Sequence, residues 1–401
     1  MHIELLTIGD ELLNGVVTDT NAGWLAERLW ARGAQVRRCT TVPDDVEILA
    51  HELRAIGARA DVCLCTGGLG PTSDDVTVDA LALAAEVDTE HDPQVWAKIQ
   101  DRYGERVPPA CNRRQARVPV GARAMMSEVG TAPGLALTIG RCRVFAVPGV
   151  PREMRWHFEH HVDGLLGLSA LASRTNRHLR FAGIGESALA ERVSQLNLPE
   201  SVEIAYLTRL PENHVRLRGP HSADVAAAAE AIIHTAPRCF VGEDDHGLVE
   251  CLLSELERKG LTIGTAESCT GGLIGGAITA VAGSSTSFCG GIISYSNAVK
   301  REVLGVSQAI LDTEGAVSEA CAAAMAQGVR RVLGCDIAVA VTGIAGPGGA
   351  RPGKPVGTLC FGWAGAHLDG TARRRFRGDR EHVRLQAVGY ALDRVRRGLH
   401  D

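Results

Sequence analysis

TAESCTGGLIGGAITAVAGSSTSFCGGIISYSNAVK, residues 265–300, decides how the chain reads. Between Glu267 and Lys300 it carries no formal charge, yet it is too rich in Gly, Ser and Thr for a membrane span, which takes about 20 predominantly apolar residues. It reads as the polar floor of a buried site. Leu261 to Gly264 looks like a strand end, and Leu273, Ile274, Ile278 and Val281 recur at helical spacing. That puts SCTGG (268–272) at the turn where a helix begins. Unpaired N–H groups and the positive end of a helix dipole gather at such a turn. Ser268 then presents a hydroxyl beside donors for an anion, either a phosphate or the oxyanion of an acyl transfer. A plain N-cap role for Ser268 or Thr270 is the competing reading.

The end of the stretch, GGIISYSNAVK (290–300), reads as a strand running into a polar turn, which brings Tyr295, Ser296, Asn297 and Lys300 to one end of the sheet. A lysine beside a serine serves as its general base when burial lowers the amine pKa, and a tyrosine can relay the proton. Taken singly, Lys300 reads as a solvated surface lysine and Tyr295 as a core aromatic.

The rest of the chain supplies the frame. Its 401 residues call for two or three domains, each with its own core. With 45% hydrophobic and 22% charged residues it has the balance of a soluble globular protein, and a net charge of −5 gives no broad footprint for nucleic acid. The start, MHIELLTIGDELL, has acidic residues and no basic leader, so it reads as no signal peptide, and a cytoplasmic location with no membrane association is expected. The twelve cysteines are scattered without a C-x-x-C pair, which argues against structural zinc and for reduced, buried thiols. Cys63 and Cys65 are read as facing opposite sides of one strand.

From Met1 to about Ala170 strands and helices alternate: Ile3 to Ile8 a strand, Asn21 to Arg32 a helix stopped by Gly33, Ala34 to Val42 a strand, Asp44 to Ile56 a helix stopped by Gly57, and Asp61 to Thr66 a strand. This α/β order predicts a mainly parallel sheet of Rossmann type with ligands at the carboxyl ends of its strands. Three loops fall at such ends: GDELLNGVVTDTN (9–21), CTGGLGPTSDD (65–75) and VPGVPREM (147–154). In the second, Gly67, Gly68 and Gly70 allow close backbone approach to a ligand, Thr72 lies in the same turn, and Asp74 and Asp75 are a candidate pair for a divalent metal. A capped tight turn is the plainer reading there. Glu153, His157 and His161 share one predicted helix face, read as solvated rather than metal-binding.

Residues 178–241 read as strand, helix, strand, strand, helix, strand, with no GXXG loop or basic surface for nucleic acid. After the organising stretch come a helix from Ser318 to Leu333, a strand from Asp336 to Val341, a mobile Arg351 to Pro355 loop, a hairpin, and a last helix starting near Asp379. Arg380 in its first turn suits a phosphate.

AESCTGG (266–272), YSNAVK (295–300), GAVSE (315–319), VTGIAGPGG (341–349) and KPVGT (354–358), in that order, resemble the carboxyl-terminal domain of the CinA family, a nicotinamide mononucleotide deamidase. The three amino-terminal loops, with CNRRQA (111–116) and GTAPG (130–134), resemble the family's amino-terminal domain, itself similar to molybdopterin-binding proteins of the MoaB and MogA kind. The middle segment resembles the family's small KH-like linker, read as a connector or dimerisation module. The expected domains are 1–170, 171–242 and 243–401.

The resemblance implies hydrolysis of nicotinamide mononucleotide to nicotinic acid mononucleotide and ammonia without a cofactor. Ser268 corresponds to the nucleophile, Lys300 to its base and Tyr295 to an assisting hydroxyl. Cys269, Thr270, Gly271, Gly272, Asn297, Thr342, Gly343, Gly346 and Arg380 are the candidates for substrate contact. It also implies a homodimer and, in some members, metal-dependent ADP-ribose hydrolysis by the amino-terminal domain. A non-catalytic nucleotide-binding role linked to competence or DNA damage is the third expectation.

Overall fold

The computed structural model describes residues 1–167, 175–365 and 368–400; the boundary expected at residue 170 lies outside them. The chain divides into two compact units, Met1–Arg174 and Thr175–Asp401.

In the first unit β1 (Ile3–Ile8), β2 (Val36–Val42) and β3 (Val62–Thr66) precede β4 (Thr89–His91), β5 (Arg117–Pro119), β6 (Arg123–Met125), β7 (Gly134–Ile139) and β8 (Cys142–Val147). The sheet order is β2-β1-β3-β8-β7-β6, parallel from β2 to β8, with β7 and β6 antiparallel at one edge. β1 and β3 are buried along their whole length, because parallel central strands are covered on both faces.

Four details depart from the sequence reading. Gly57 does not stop its helix, which runs Val46–Arg59. It lies inside the helix, where a Cβ would sit 2.7 Å from the Ile139 carbonyl oxygen; the glycine serves close approach of helix to sheet rather than termination. Cys63 and Cys65 share one face of β3, as a period of two requires, with Sγ atoms 3.5 Å apart. The face bearing Glu153, His157 and His161 is not solvated. The helix Pro151–His157 passes into a π-helical turn, Phe158–Val162, and His157 is fully buried with Nε2 3.4 Å from the Ala132 carbonyl oxygen. Burial pushes the His157 imidazole down to about 4. Lastly, Arg351 to Pro355 forms a closed turn, in which the Arg351 and Lys354 amides and carbonyls bond each other both ways at 3.0 and 2.8 Å.

In the second unit β9 (Thr175–Ala182), β10 (Glu203–Arg209), β11 (Glu212–Gly219) and β12 (Phe240–Glu243) form an antiparallel sheet in the order β10-β11-β9-β12. The helices Glu186–Ser194 and Ser222–Thr235 pack Leu189, Val225 and Ile232 onto its Leu179, Phe181 and Val215.

The following five strands are β13 (Ile263–Glu267), β14 (Phe288–Ile293), β15 (Ile337–Gly343), β16 (Thr358–Ala364) and β17 (Gly370–Arg375), in the order β14-β13-β15-β16-β17. β14, β13 and β15 run parallel, and β16 and β17 are antiparallel additions. Alternation along the strands sends Val339 and Val341 to the layer formed by helices Leu248–Lys259, Leu273–Thr279 and Arg380–Gly398, and Ala338 and Ala340 to helix Glu319–Leu333. The small side chains beneath Glu319–Leu333 let that helix lie close. Because β13 and β14 are adjacent and parallel, the segments leaving their carboxyl ends converge. Among the described residues no helix is long and apolar enough to cross a membrane.

Candidate active site

Ser268 follows the last residue of β13, and Lys300 lies in the short helix Asn297–Glu302 that follows β14. Ser296 caps this helix by accepting the Val299 N–H, which orients its first turn. Lys300 is buried, 1% exposed, and not the solvated surface lysine that it suggests when taken singly. Its Nζ lies 3.0 Å from Ser268 Oγ, 2.6 Å from the Ser294 carbonyl oxygen and 3.5 Å from that of Tyr295. No carboxylate pairs with it among the described residues. Burial therefore pulls its amine below the ordinary lysine range, opposed only by the Cys321 and Cys269 thiols. Ser268 is itself buried, with its N–H donating to the Val341 carbonyl at 2.9 Å.

Neither Ser268 nor Thr270 is an N-cap. The helix Leu273–Thr279 is capped at Gly272, which has φ +97°, and the capping acceptor is the buried carboxylate of Glu267, 1% exposed. Glu267 accepts the N–H groups of Gly272 and Ile274 at 3.0 Å each and of Gly275 at 2.8 Å. Sequence reasoning passed over Glu267, although an acidic residue just ahead of a helix start is a recognised N-terminal signal. The helix end is thus occupied by a carboxylate. In the loop before it, Gly271 N–H donates to the Ser268 carbonyl at 3.1 Å, and the N–H groups of Cys269 and Thr270 have no backbone acceptor among the described residues. Thr270 Oγ1 is buried with no partner among them. Burial pushes the Cys269 thiol up to about 12.

The remaining predicted residues divide. Tyr295 is 64% exposed rather than a core aromatic; its carbonyl faces Lys300, but its hydroxyl accepts from Arg380 Nη2 at 3.3 Å and bonds neither Ser268 nor Lys300. Arg380 also donates to the Gly346 carbonyl at 2.8 Å, so Arg380 bridges the exposed Tyr295 and the buried Gly346. Thr342 is buried and donates to the Ala316 carbonyl at 2.7 Å, tying GAVSE to TGIAG. Gly343 ends β15 against Leu359, and Asn297 is exposed on the first turn after the Ser296 cap.

In the first unit a cleft of about 390 Å³ at the carboxyl ends of β1, β3 and β8 is lined by Gly67, Gly68, Gly70 and the carboxylates of Glu11, Asp44, Asp74, Asp75 and Glu153. Asp75 is committed to the loop: it accepts from the N–H groups of Gly70 and Thr72 at 2.7 Å each and from Thr72 Oγ1 at 2.6 Å. Asp74 is exposed. Among the described residues no group of three His, Cys, Asp or Glu side chains is arranged to hold a metal ion. As placed, Asp74 and Asp75 do not fit a shared divalent ion.

The fold and site thus define a three-module α/β protein whose last module holds a buried serine–lysine pair. Profiles of three families match in succession: a probable molybdopterin binding domain at residues 4–167, the KH domain of damage-inducible protein CinA at 176–237, and the CinA C-terminal domain at 245–399. A CinA-like protein of Citrifermentans bemidjiense is 41% identical, spanning 100% of this chain and 98% of its own. One from Frankia casuarinae is 42% identical, over 100% and 96%. A solved CinA superfamily protein of Klebsiella pneumoniae, 38% identical, covers 38% of this chain and 96% of its own with a TM-score of 0.37. The chain belongs to the CinA family.

Proposed function

We propose that the carboxyl-terminal module is an amidohydrolase that converts nicotinamide mononucleotide to nicotinic acid mononucleotide and ammonia. The observation that carries this reading is the buried Lys300 amine 3.0 Å from Ser268 Oγ, with no carboxylate among the described residues to keep it charged. A neutral Lys300 accepts the Ser268 proton as Oγ attacks the carboxamide carbon. The N–H groups of Cys269 and Thr270 are the available donors for the oxyanion. Lys300 returns the proton to the leaving nitrogen, ammonia departs, and a water deprotonated by Lys300 cleaves the ester to release the acid and free Ser268. The cationic pyridinium of the substrate adds like-charge repulsion that keeps Lys300 neutral. Arg380 is the proposed phosphate partner, released from Gly346 and Tyr295 as substrate enters.

The test is product formation from nicotinamide mononucleotide by the full-length protein in the presence of EDTA. Ammonia and nicotinic acid mononucleotide are expected in equal amounts; folded protein that yields neither would overturn the reading.

A further inference from the structure

We infer that Arg384 is a positioning residue that aims and polarises the Thr270 N–H, one of the two proposed oxyanion donors of this site, an inference that rests on the amidohydrolase reading. Arg384 lies on the helix Arg380–Gly398, one turn beyond Arg380, and reaches the nucleophile loop from 115 residues away in sequence. Its Nε donates to the Cys269 carbonyl at 3.1 Å and its Nη2 to the Thr270 carbonyl at 2.8 Å. No carboxylate pairs with it among the described residues, so its charge is directed at two successive peptide groups just after Ser268.

A trans peptide is planar, with its C=O and N–H pointing in opposite directions. Holding the Cys269 carbonyl toward Arg384 therefore turns the Thr270 N–H to the opposite side of the loop. Holding the Thr270 carbonyl does the same for the Gly271 N–H, which closes the turn on the Ser268 carbonyl at 3.1 Å. The fork geometry of the guanidinium suits two neighbouring acceptors, where an ammonium is a point charge. A cation on a peptide oxygen also strengthens that peptide's N–H as a donor, because hydrogen-bonded groups polarise one another.

The site has need of this. Glu267 places a buried negative charge on the N–H groups of Gly272, Ile274 and Gly275, so the end of the helix Leu273–Thr279 cannot also receive an oxyanion. The donors that remain belong to the loop gripped by Arg384, and its positive charge offsets that of Glu267 where negative charge develops. Gly271 takes φ +60°, a conformation that favours glycine, and stands beside the clamp: a Cβ there would make ordinary contact with Arg384 Nη2 at 3.5 Å.

The test compares wild type, Arg384→Ala and Arg384→Lys as full-length proteins, measuring kcat and KM for nicotinamide mononucleotide, the urea unfolding midpoint, and the response to added guanidinium ion. Loss of one aimed donor typically lowers kcat by about 10²–10³-fold. Arg384→Ala is expected to lose about 10²-fold in kcat with KM nearly unchanged, the signature of an interaction made in the transition state. Guanidinium is expected to restore part of that loss, and Arg384→Lys to lie in between. An active wild type whose Arg384→Ala variant keeps its kcat, or loses kcat without any guanidinium rescue, would sink the inference alone. If Arg384→Ala does not fold, Arg384→Lys decides: reduced kcat at constant KM supports the role, and wild-type kcat refutes it. A wild type that forms no product sinks the amidohydrolase reading and this inference together.

Discussion

Ser268→Ala is expected to lower kcat for nicotinamide mononucleotide by at least about 10³-fold, since removal of an attacking hydroxyl leaves only the contribution of binding and oxyanion donors. KM should change little, because the hydroxyl bonds Lys300 in the free protein and enters the substrate only on the way to the transition state. Stability should also change little. Ser268 Oγ is one of the acceptors around Lys300 Nζ, and the Ser294 carbonyl at 2.6 Å remains. Steady-state kinetics and a urea unfolding curve on the same preparation check both halves. A variant retaining a tenth or more of the wild-type kcat would exclude Ser268 as nucleophile.

Lys300 carries the second large effect. With its amine pulled below the ordinary value of 10.5 by burial, the neutral base is populated at lower pH than for a surface lysine. The sign follows directly: kcat/KM rises with pH as Lys300 loses its proton, and the limb lies below 10.5. Stability moves the same way. The unfolded chain binds the lysine proton more tightly than the folded one, so the burial penalty is full below the folded pKa, shrinks as pH rises through it, and vanishes above the unfolded value. Lys300→Met is expected to lower kcat by at least about 10³-fold and to flatten the corresponding part of the stability–pH curve. A pH–rate limb within the ordinary lysine range, or a rate that falls as pH rises toward it, would contradict a buried lysine base.

Much of this arrangement was legible because local pattern encodes it. Short, largely apolar runs such as Ile3–Ile8 mark strands covered on both faces, and the 3.6-residue spacing of Leu273, Ile274 and Ile278 marks the helix after SCTGG. Two adjacent parallel strands then bring residues 268 and 300 together whatever the details of the loops. What local pattern does not carry is the direction of a side chain and the partner it finds far along the chain. Glu267 was passed over, since the strand was expected to end at Gly264, yet it closes β13 and its carboxylate turns back onto the following helix. Arg384 was one charge among many on the last helix, and its two acceptors are over a hundred residues away. Tyr295 was read as an assisting hydroxyl or a core aromatic, but it is exposed and its hydroxyl meets Arg380 rather than Ser268 or Lys300. Gly57 and His157 were misread for a related reason: a helix continued where a glycine suggested an end, and a helix face carrying a histidine and a glutamate packs inward, with His157 fully buried.

The most direct measurement of the central claim, that Ser268 forms an acyl-enzyme with the substrate, is product partition in the presence of hydroxylamine. An ester intermediate is open to either nucleophile, so the wild-type protein is expected to form the hydroxamate of nicotinic acid mononucleotide at the expense of the acid, while ammonia continues to be released and Ser268→Ala forms neither product. Formation of the acid alone, at any concentration of hydroxylamine and with ammonia still released, would mean that water attacks the amide directly and that the Ser268–Lys300 pair is not a nucleophile and its base.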